Sequence, residues 1–430
     1  MRAFVLLPPR RTGRLPRARA AGFTLVELMV AMTGGLFLSI VVFALSRDAS
    51  RFYQRESRVA NATLAGVSGF ERLSSDIARA GHLVTPNIDN DPHVCNRPAA
   101  NWPAMLRRLR SVLIETDPAP VAGTELAAAN IKPQGIVIAG ALDMPEVLTT
   151  ASVLEDGEGN WEVSINTSTP AAARAGLSSL NTATASNLAV LQSMFLVGGN
   201  GRIVRLRKKG MDQYAVVSSV SASAGPITAL ALVNLAAAPR LVRPESGGIQ
   251  CGIRGDGKDM DLAVIDLVRY NIRPMVNDAG YAALFKASGL GTGGGGSALP
   301  YESKRAELVR VELTPAGDEI PSTREIVGEY AVDLQLRGWR ATSASNPALI
   351  PVAEDVNDTY ASTQLLRGIH VRFSVRSREA DRERDIPTGS GGASNDRYRI
   401  GLTTPSGTVF ARVRTFQSDI PLRNLEGSNW

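Results

Sequence analysis

Asp256, Asp259 and Asp261 crowd a glycine-containing turn, and carboxylate oxygens this close in sequence could hold calcium. The spacing is not that of an EF-hand loop and no Glu closes it, so a solvated turn is the expectation. Asp89 with Asp91, and Asp355 with Asp358, read the same way. His93 and Cys95 could share a zinc ion, but zinc wants four ligands at tight spacing and no second pair lies near. No metal site is expected. Arg202, Arg205, Arg207, Lys208 and Lys209 form the clearest basic run beyond the N-terminus. Without an aromatic platform the run reads as a solvated hairpin end, and no nucleic-acid partner is expected. The sequence holds no Gly-x-Ser-x-Gly elbow, Walker loop or His-Glu-x-x-His helix. The expectation is a chain with no catalytic residue and no cofactor, not an enzyme.

Two cysteines, Cys95 and Cys251, remain. In an exported protein they could pair, closing a loop of 156 positions with a stabilisation of about 5 kcal/mol at most. Two buried free thiols are the alternative. The net charge of +6 is a local property. Arg2, Arg10, Arg11, Arg14, Arg17 and Arg19 all precede residue 23, and without them the remaining 41 Lys and Arg match the 41 Asp and Glu. The folded part of the chain therefore carries no excess of positive charge with which to bind phosphate.

The remaining group with chemical consequence is Glu27. It is the one charge in the apolar stretch 23–45, which as a helix spans about 34 Å, enough for a hydrocarbon core. A carboxylate there costs roughly 2.5–3.5 kcal/mol and calls for a partner. The upstream arginines orient the segment with its N-terminus in the cytoplasm. Small residues, Ala20-Ala21-Gly22, precede the apolar run instead of following it as in a secretory signal. Cleavage after Gly22 would keep the helix as an anchor. Gly34 and Gly35 weaken the helix at mid-span or admit a close neighbour.

Gly22-Phe23-Thr24-Leu25-Val26-Glu27-Leu28-Met29-Val30-Ala31-Met32 resembles the signal of type IV prepilins and of type II secretion pseudopilins. The resemblance implies cleavage between Gly22 and Phe23 by prepilin peptidase and N-methylation of Phe23. It also implies pairing of Glu27 with the N-terminal amine of a neighbouring subunit. The close of the following helix, Leu73-Ser74-Ser75-Asp76-Ile77-Ala78-Arg79-Ala80-Gly81-His82, is similar to that of PilW-type minor pilins, with Ala78 and His82 departing from the pattern. Val268-Arg269-Tyr270, Leu308-Val309-Arg310, Val332-Asp333-Leu334-Gln335-Leu336 and the tail ending Leu422-Arg423-Asn424 are similar to further segments of those proteins, in the same order.

These readings fix the elements that must carry the signal. Residues 1–22 form a leader, 23–45 a membrane-spanning and filament-core helix, and 46–81 its amphipathic continuation. Val67, Phe70, Leu73 and Ile77 make a helical stripe, Gly66 and Gly69 are expected to bend it, and Gly81 to stop it. Residues 82–430 read as a β-rich exported domain. Residues 83–103 read as an irregular loop and 170–190 as ambiguous. Strands are expected at 135–139, 161–165, 203–206, 213–217, 261–272, 308–313, 326–336, 366–375 and 408–413. Glycine-rich mobile loops are expected near 288–297 and 379–397. One sheet fed by both halves is a simpler expectation than a domain break near 250–260.

The fold class expected is α+β and pilin-like: a long N-terminal helix packed on a large antiparallel β-rich domain. The resemblance implies a minor pilin that primes or joins type IV pilus assembly at the filament tip. Its partners would be other major and minor pilins, prepilin peptidase, the inner-membrane assembly platform and a tip adhesin. The precursor would sit in the inner membrane, single-pass with its globular domain periplasmic, and later in the pilus at the cell surface. The alternatives are a pseudopilin J-like tip subunit of a type II secretion system and an unrelated membrane-anchored periplasmic binding protein.

Overall fold

The computed structural model describes residues 24–94, 102–116, 121–155, 160–177, 185–224, 229–235, 241–243, 252–255, 257–281, 302–343, 349–351, 363–380, 399–404 and 407–426. Two compact units result, Met1–Ser57 and Arg58–Trp430. Helix α1, Leu25–Ala78, supplies the described helix of the first and the opening element of the second.

In the first unit α1 is apolar, with its side chains exposed from Leu25 to Leu45. It runs unbroken through Gly34 and Gly35, around which nothing lies within 4 Å. In the second unit α1 turns one face inward through Ala62, Gly66, Gly69, Leu73, Asp76, Ile77 and, just past its end, Ala80. That spacing of three and four is the stripe of a helix lying on a sheet. Gly66 and Gly69 are contact points rather than bends. A Cβ on Gly66 would sit 2.3 Å from the Phe416 ring, and one on Gly69 2.6 Å from the Val327 carbonyl oxygen. The helix ends before Gly81, whose φ of +79° suits a residue without a Cβ.

The strands follow in chain order. β1 (Val112–Thr116) and β2 (Gln134–Gly140) come first. Then come β3 (Leu148–Glu155), β4 (Trp161–Ile165), the short β5 (Leu196–Val197) and β6 (Asn200–Gly201), β7 (Ile203–Lys208), β8 (Met211–Ala224) and β9 (Ala229–Leu235). Short β10 (Val242–Arg243) and β11 (Ile253–Arg254) precede β12 (Asp261–Arg273), β13 (Glu307–Glu312) and β14 (Glu325–Gly328). β15 (Ala331–Ala341), β16 (Leu349–Pro351), β17 (Leu366–Arg376), β18 (Arg399–Thr404) and β19 (Gly407–Pro421) complete the chain.

Among the described residues, every pairing of these strands except β10 with β11 is antiparallel. Three bodies form. One is an open sheet in the order β1-β2-β12-β13-β14. A second sheet runs β16-β15-β17-β19-β18. The third is a closed ring, β12-β3-β4-β9-β8-β7 and back to β12, inserted between β2 and the second half of β12. Closure leaves the ring without an open edge.

The two sheets and the foot of α1 share one core, built from Leu73, Ile77, Ile136, Tyr270, Leu308, Leu334, Phe373 and their neighbours. The ring has its own core around Trp161, Val163, Phe195, Val204, Leu206 and Val264. β12 belongs to both. Leu262 and Val264 face the ring core, Val268, Tyr270 and Ile272 on the same face belong to the shared core, and Asp266 stands between them.

The fold is the expected one, an N-terminal apolar helix followed by a large antiparallel β-rich domain. One local expectation is corrected and two are filled in. Residues 326–336 are two strands, not one: Tyr330 adopts φ of +55° and turns the chain from the open sheet into the second sheet. Within 83–94, Thr85, Asn87, Ile88 and Asp91 are buried, because the segment packs on the far face of β2 and β12. The ambiguous 170–190 holds a short helix, Pro170–Arg174, and the start of a longer one, Ala185–Phe195. The loop expected near 288–297, and all but Glu379 and Ala380 of the one expected near 379–397, lie outside the described residues.

Candidate functional site

The sequence singles out the start of α1. Thr24 sits just before it, with Glu27 in the first turn. The Glu27 amide donates to Thr24 Oγ1 at 3.2 Å, while Glu27 Oε2 accepts from the Thr24 amide and hydroxyl, both at 3.0 Å. This reciprocal Thr-x-x-Glu capping box satisfies orphan amides at the helix start and places the carboxylate beside the residue following Phe23. Farther along, the Thr33 hydroxyl donates back to Met29 O and Val30 O, and the Ser39 hydroxyl to Gly35 O. These polar side chains thereby satisfy themselves within the helix, as an apolar medium requires. Gly22 and Phe23, the two sides of the expected scissile bond, lie outside the described residues.

The foot of α1 is fastened by charge as well as by packing. The buried Asp76 carboxylate accepts from the Tyr270 hydroxyl at 2.7 Å and from Arg310 Nε at 3.1 Å. Burial, with the Asp76 charge beside it, holds the Tyr270 hydroxyl far above its usual titration range. Burial works against the Arg310 charge, but Tyr270, Asp143 and Asp76 outweigh it and keep the guanidinium charged. Just past the helix, Arg79 donates to the Leu142 carbonyl, and the Gly81 amide to Ala139 O at 3.0 Å. Sequence reasoning placed Asp76 only within a resemblance; its partners lie 194 and 234 positions away.

The same network contains the geometry that comes nearest to a metal site. Asp143, Asp266 and Glu312 each bring a carboxylate oxygen within 4.8 Å of the others. A protein cation already occupies the cluster. Arg202 reaches Asp266 at 2.8 Å, Glu312 at 3.0 Å and Asp143 at 3.7 Å, and Arg310 reaches Asp143 at 3.2 Å. A metal ion at these carboxylates would be repelled by the Arg202 guanidinium.

The basic run is therefore only partly solvated, which corrects the sequence reading. Arg202 is locked in the cluster, and Arg205 forms a buried two-point pair with Asp212 at 3.0 and 2.7 Å. Arg207 and Lys208 are at the outer end, where Lys208 Nζ donates to the Lys258 carbonyl. Asp89 pairs with Arg110 at 2.8 Å, Asp91 accepts from the His93 amide at 2.9 Å, and the Asp259 backbone amide donates to the Thr150 carbonyl at 3.0 Å. Cys95, Cys251, Asp256, Asp355 and Asp358 lie outside the described residues, so the pairing of the cysteines is not read from the structure.

Of these features, the start of α1 is the one that matches a known signature. Residues 17–33 carry the prokaryotic N-terminal methylation motif. The motif indicates prepilin processing of the type IV pilin and pseudopilin kind, and its span contains Gly22, Phe23, Thr24 and Glu27. It overlaps Leu25–Ser50, a segment long and apolar enough to cross a membrane, so the prepilin-type motif runs directly into that apolar helix. No curated protein and no solved structure matches the chain.

Proposed function

We propose that this chain is a PilW-like minor pilin, an assembly subunit and not an enzyme, that primes or joins a type IV pilus at its tip. The observation that carries the reading is the methylation motif at residues 17–33, set on an apolar helix whose side chains are unburied within the chain. In this reading, prepilin peptidase cuts between Gly22 and Phe23. The helix then leaves the inner membrane for the filament by packing against the helices of neighbouring pilins. Both capping bonds of Glu27 fall on Oε2, which leaves Oε1 for the methylated amine of a neighbouring subunit. That exchange removes the cost of a lone carboxylate in apolar surroundings. The size of the β domain, with a closed ring added to two sheets, supports an end position, where bulk meets fewer neighbours.

The test has two parts. Mass spectrometry of the membrane-extracted protein is expected to give a chain beginning at methylated Phe23; an intact Met1 sinks the reading and favours a plain anchored binding protein. Glu27→Ala is expected to abolish incorporation into filaments and to lower pilus number. If deletion of the chain blocks protein secretion and leaves piliation intact, a pseudopilin J-like role replaces the pilus role.

A further inference from the structure

Within the second unit β19 runs alongside α1, and two contacts fix its direction. At one end Gly66 packs on the Phe416 ring, whose centroid is 6.1 Å from that of Phe70. At the other end Gly81 packs on Leu425, and the Asn424 side chain donates to Ala80 O at 3.1 Å. Helix and strand therefore descend in the same sense. The start of β19, with β18 paired to it, projects past the Gly66 contact toward Arg58, where α1 enters the unit.

This hairpin has two unlike faces. Ile400, Leu402, Ala411 and Val413 are buried in the shared core. Thr408, Phe410, Arg412 and Arg414 lie on the opposite face, the one that carries Phe416, and Arg399 stands in register with Arg412. A Cβ on Gly401 would sit 3.7 Å from the Phe410 ring, yet the Phe410 side chain remains 38% exposed. The charge has one sign. Residues 399–418 hold three arginines and no Asp or Glu, and the part of α1 from 58 to 70 holds Arg58 and no acid. Arg378 and Glu379, adjoining the Ser377 amide that donates to Arg412 O, cancel each other. Arg414 is exposed and makes no ion pair among the described residues.

Arginines beside an exposed aromatic ring suit a boundary between anionic headgroups and hydrocarbon. Phe410 stands six residues, about 20 Å, up the strand from Phe416. Ser50, where the apolar segment ends, is sixteen residues, about 24 Å of helix, from Gly66. The hairpin is thus long enough to meet the headgroups while Leu25–Ser50 stays in a bilayer. We propose that Phe410, Arg412 and Arg414 dock on anionic phospholipid headgroups of the membrane that holds the apolar helix, so that the β domain rests on the bilayer before assembly. The inference rests on the membrane-anchored reading. The tether favours lipid over a free protein partner, because it holds this face at a high effective concentration of membrane.

The full chain reconstituted in vesicles tests it, with Phe410→p-benzoylphenylalanine as a photo-crosslinking probe. In vesicles of phosphatidylcholine mixed with phosphatidylglycerol, a lipid adduct is expected on the peptide that holds position 410, read by mass spectrometry. Adding Arg414→Gln is expected to lower its yield about fivefold, the effect of one basic residue at an anionic surface. Vesicles of phosphatidylcholine alone are expected to give at least as large a drop. If the Phe410 variant fails to fold, Thr408→p-benzoylphenylalanine places the probe on the same face. Equal yields in the two kinds of vesicle, or adducts only to a second copy of the chain, overturn the proposal. A carbonate wash separates this result from the anchor. A chain washed out of the vesicles has lost the anchored reading and the inference with it, whereas a retained chain without lipid adducts overturns the inference alone.

Discussion

Asp76 accepts the Tyr270 hydroxyl at 2.7 Å, across 194 positions of sequence, with both groups buried. Removing either partner strands something different. Tyr270→Phe deletes one hydrogen bond and is expected to cost about 1 kcal/mol. Asp76→Ala leaves the Arg310 guanidinium without its α1 counter-charge and is expected to cost roughly 3–5 kcal/mol. Urea unfolding of the full chain, read by tryptophan fluorescence, checks both; equal losses would mean that Arg310 repairs its own environment.

Gly69 and Gly66 are expected to behave unlike ordinary helix glycines. On an open helix face Gly→Ala stabilises by up to about 1 kcal/mol. At Gly69 the new methyl would meet a backbone carbonyl at 2.6 Å, and the change is expected to destabilise by roughly 1–3 kcal/mol. At Gly66 the first atoms met belong to the Phe416 ring, with Val375 behind, so a smaller loss is expected. Gly34→Ala, with nothing within 4 Å, is the control and is expected to leave the unfolding of the β domain unchanged.

Lys209 and Gly210 join β7 to β8 in a two-residue turn, with φ of +51° and +77°. Both angles positive define a turn that suits Asn-Gly. Gly210→Val is expected to cost about 1–2 kcal/mol, and Lys209→Asn to gain a few tenths. Tm shifts of opposite sign in the two variants would confirm the turn.

Thr24→Ala removes the hydroxyl half of the capping box at the start of α1. A loss of about 1 kcal/mol in local helix stability is expected. Hydrogen exchange of the amides just after Thr24, measured in detergent, is the readout, and unchanged protection would show that the cap carries no weight there.

Much of this was legible because it is local. The apolar run, the Leu73–Ile77 stripe, the β2, β4, β7 and β12 strands and the Lys209-Gly210 turn all follow from periodicity and turn chemistry over a few residues. What was not legible depends on distant partners. Arg202 and Arg205 look like solvated charges until Asp266, Glu312 and Asp212 are folded against them. Gly66 and Gly69 resemble helix breakers until the second sheet and β14 approach. Closure of the ring could not be read at all, since β12 carries one continuous alternation whether it serves one body or two. The methylation motif at residues 17–33 was the most legible part, because its signal is contiguous.

β12 also constrains how this architecture can change. A single rung slipped along it would carry Asp266 onto the opposite face, pull Leu262 and Val264 out of one interior and Tyr270 out of the other. Ring and sheets therefore cannot drift in register independently. Residues gained or lost in this family of shapes should accumulate in the connections and spare the thirteen positions of that strand.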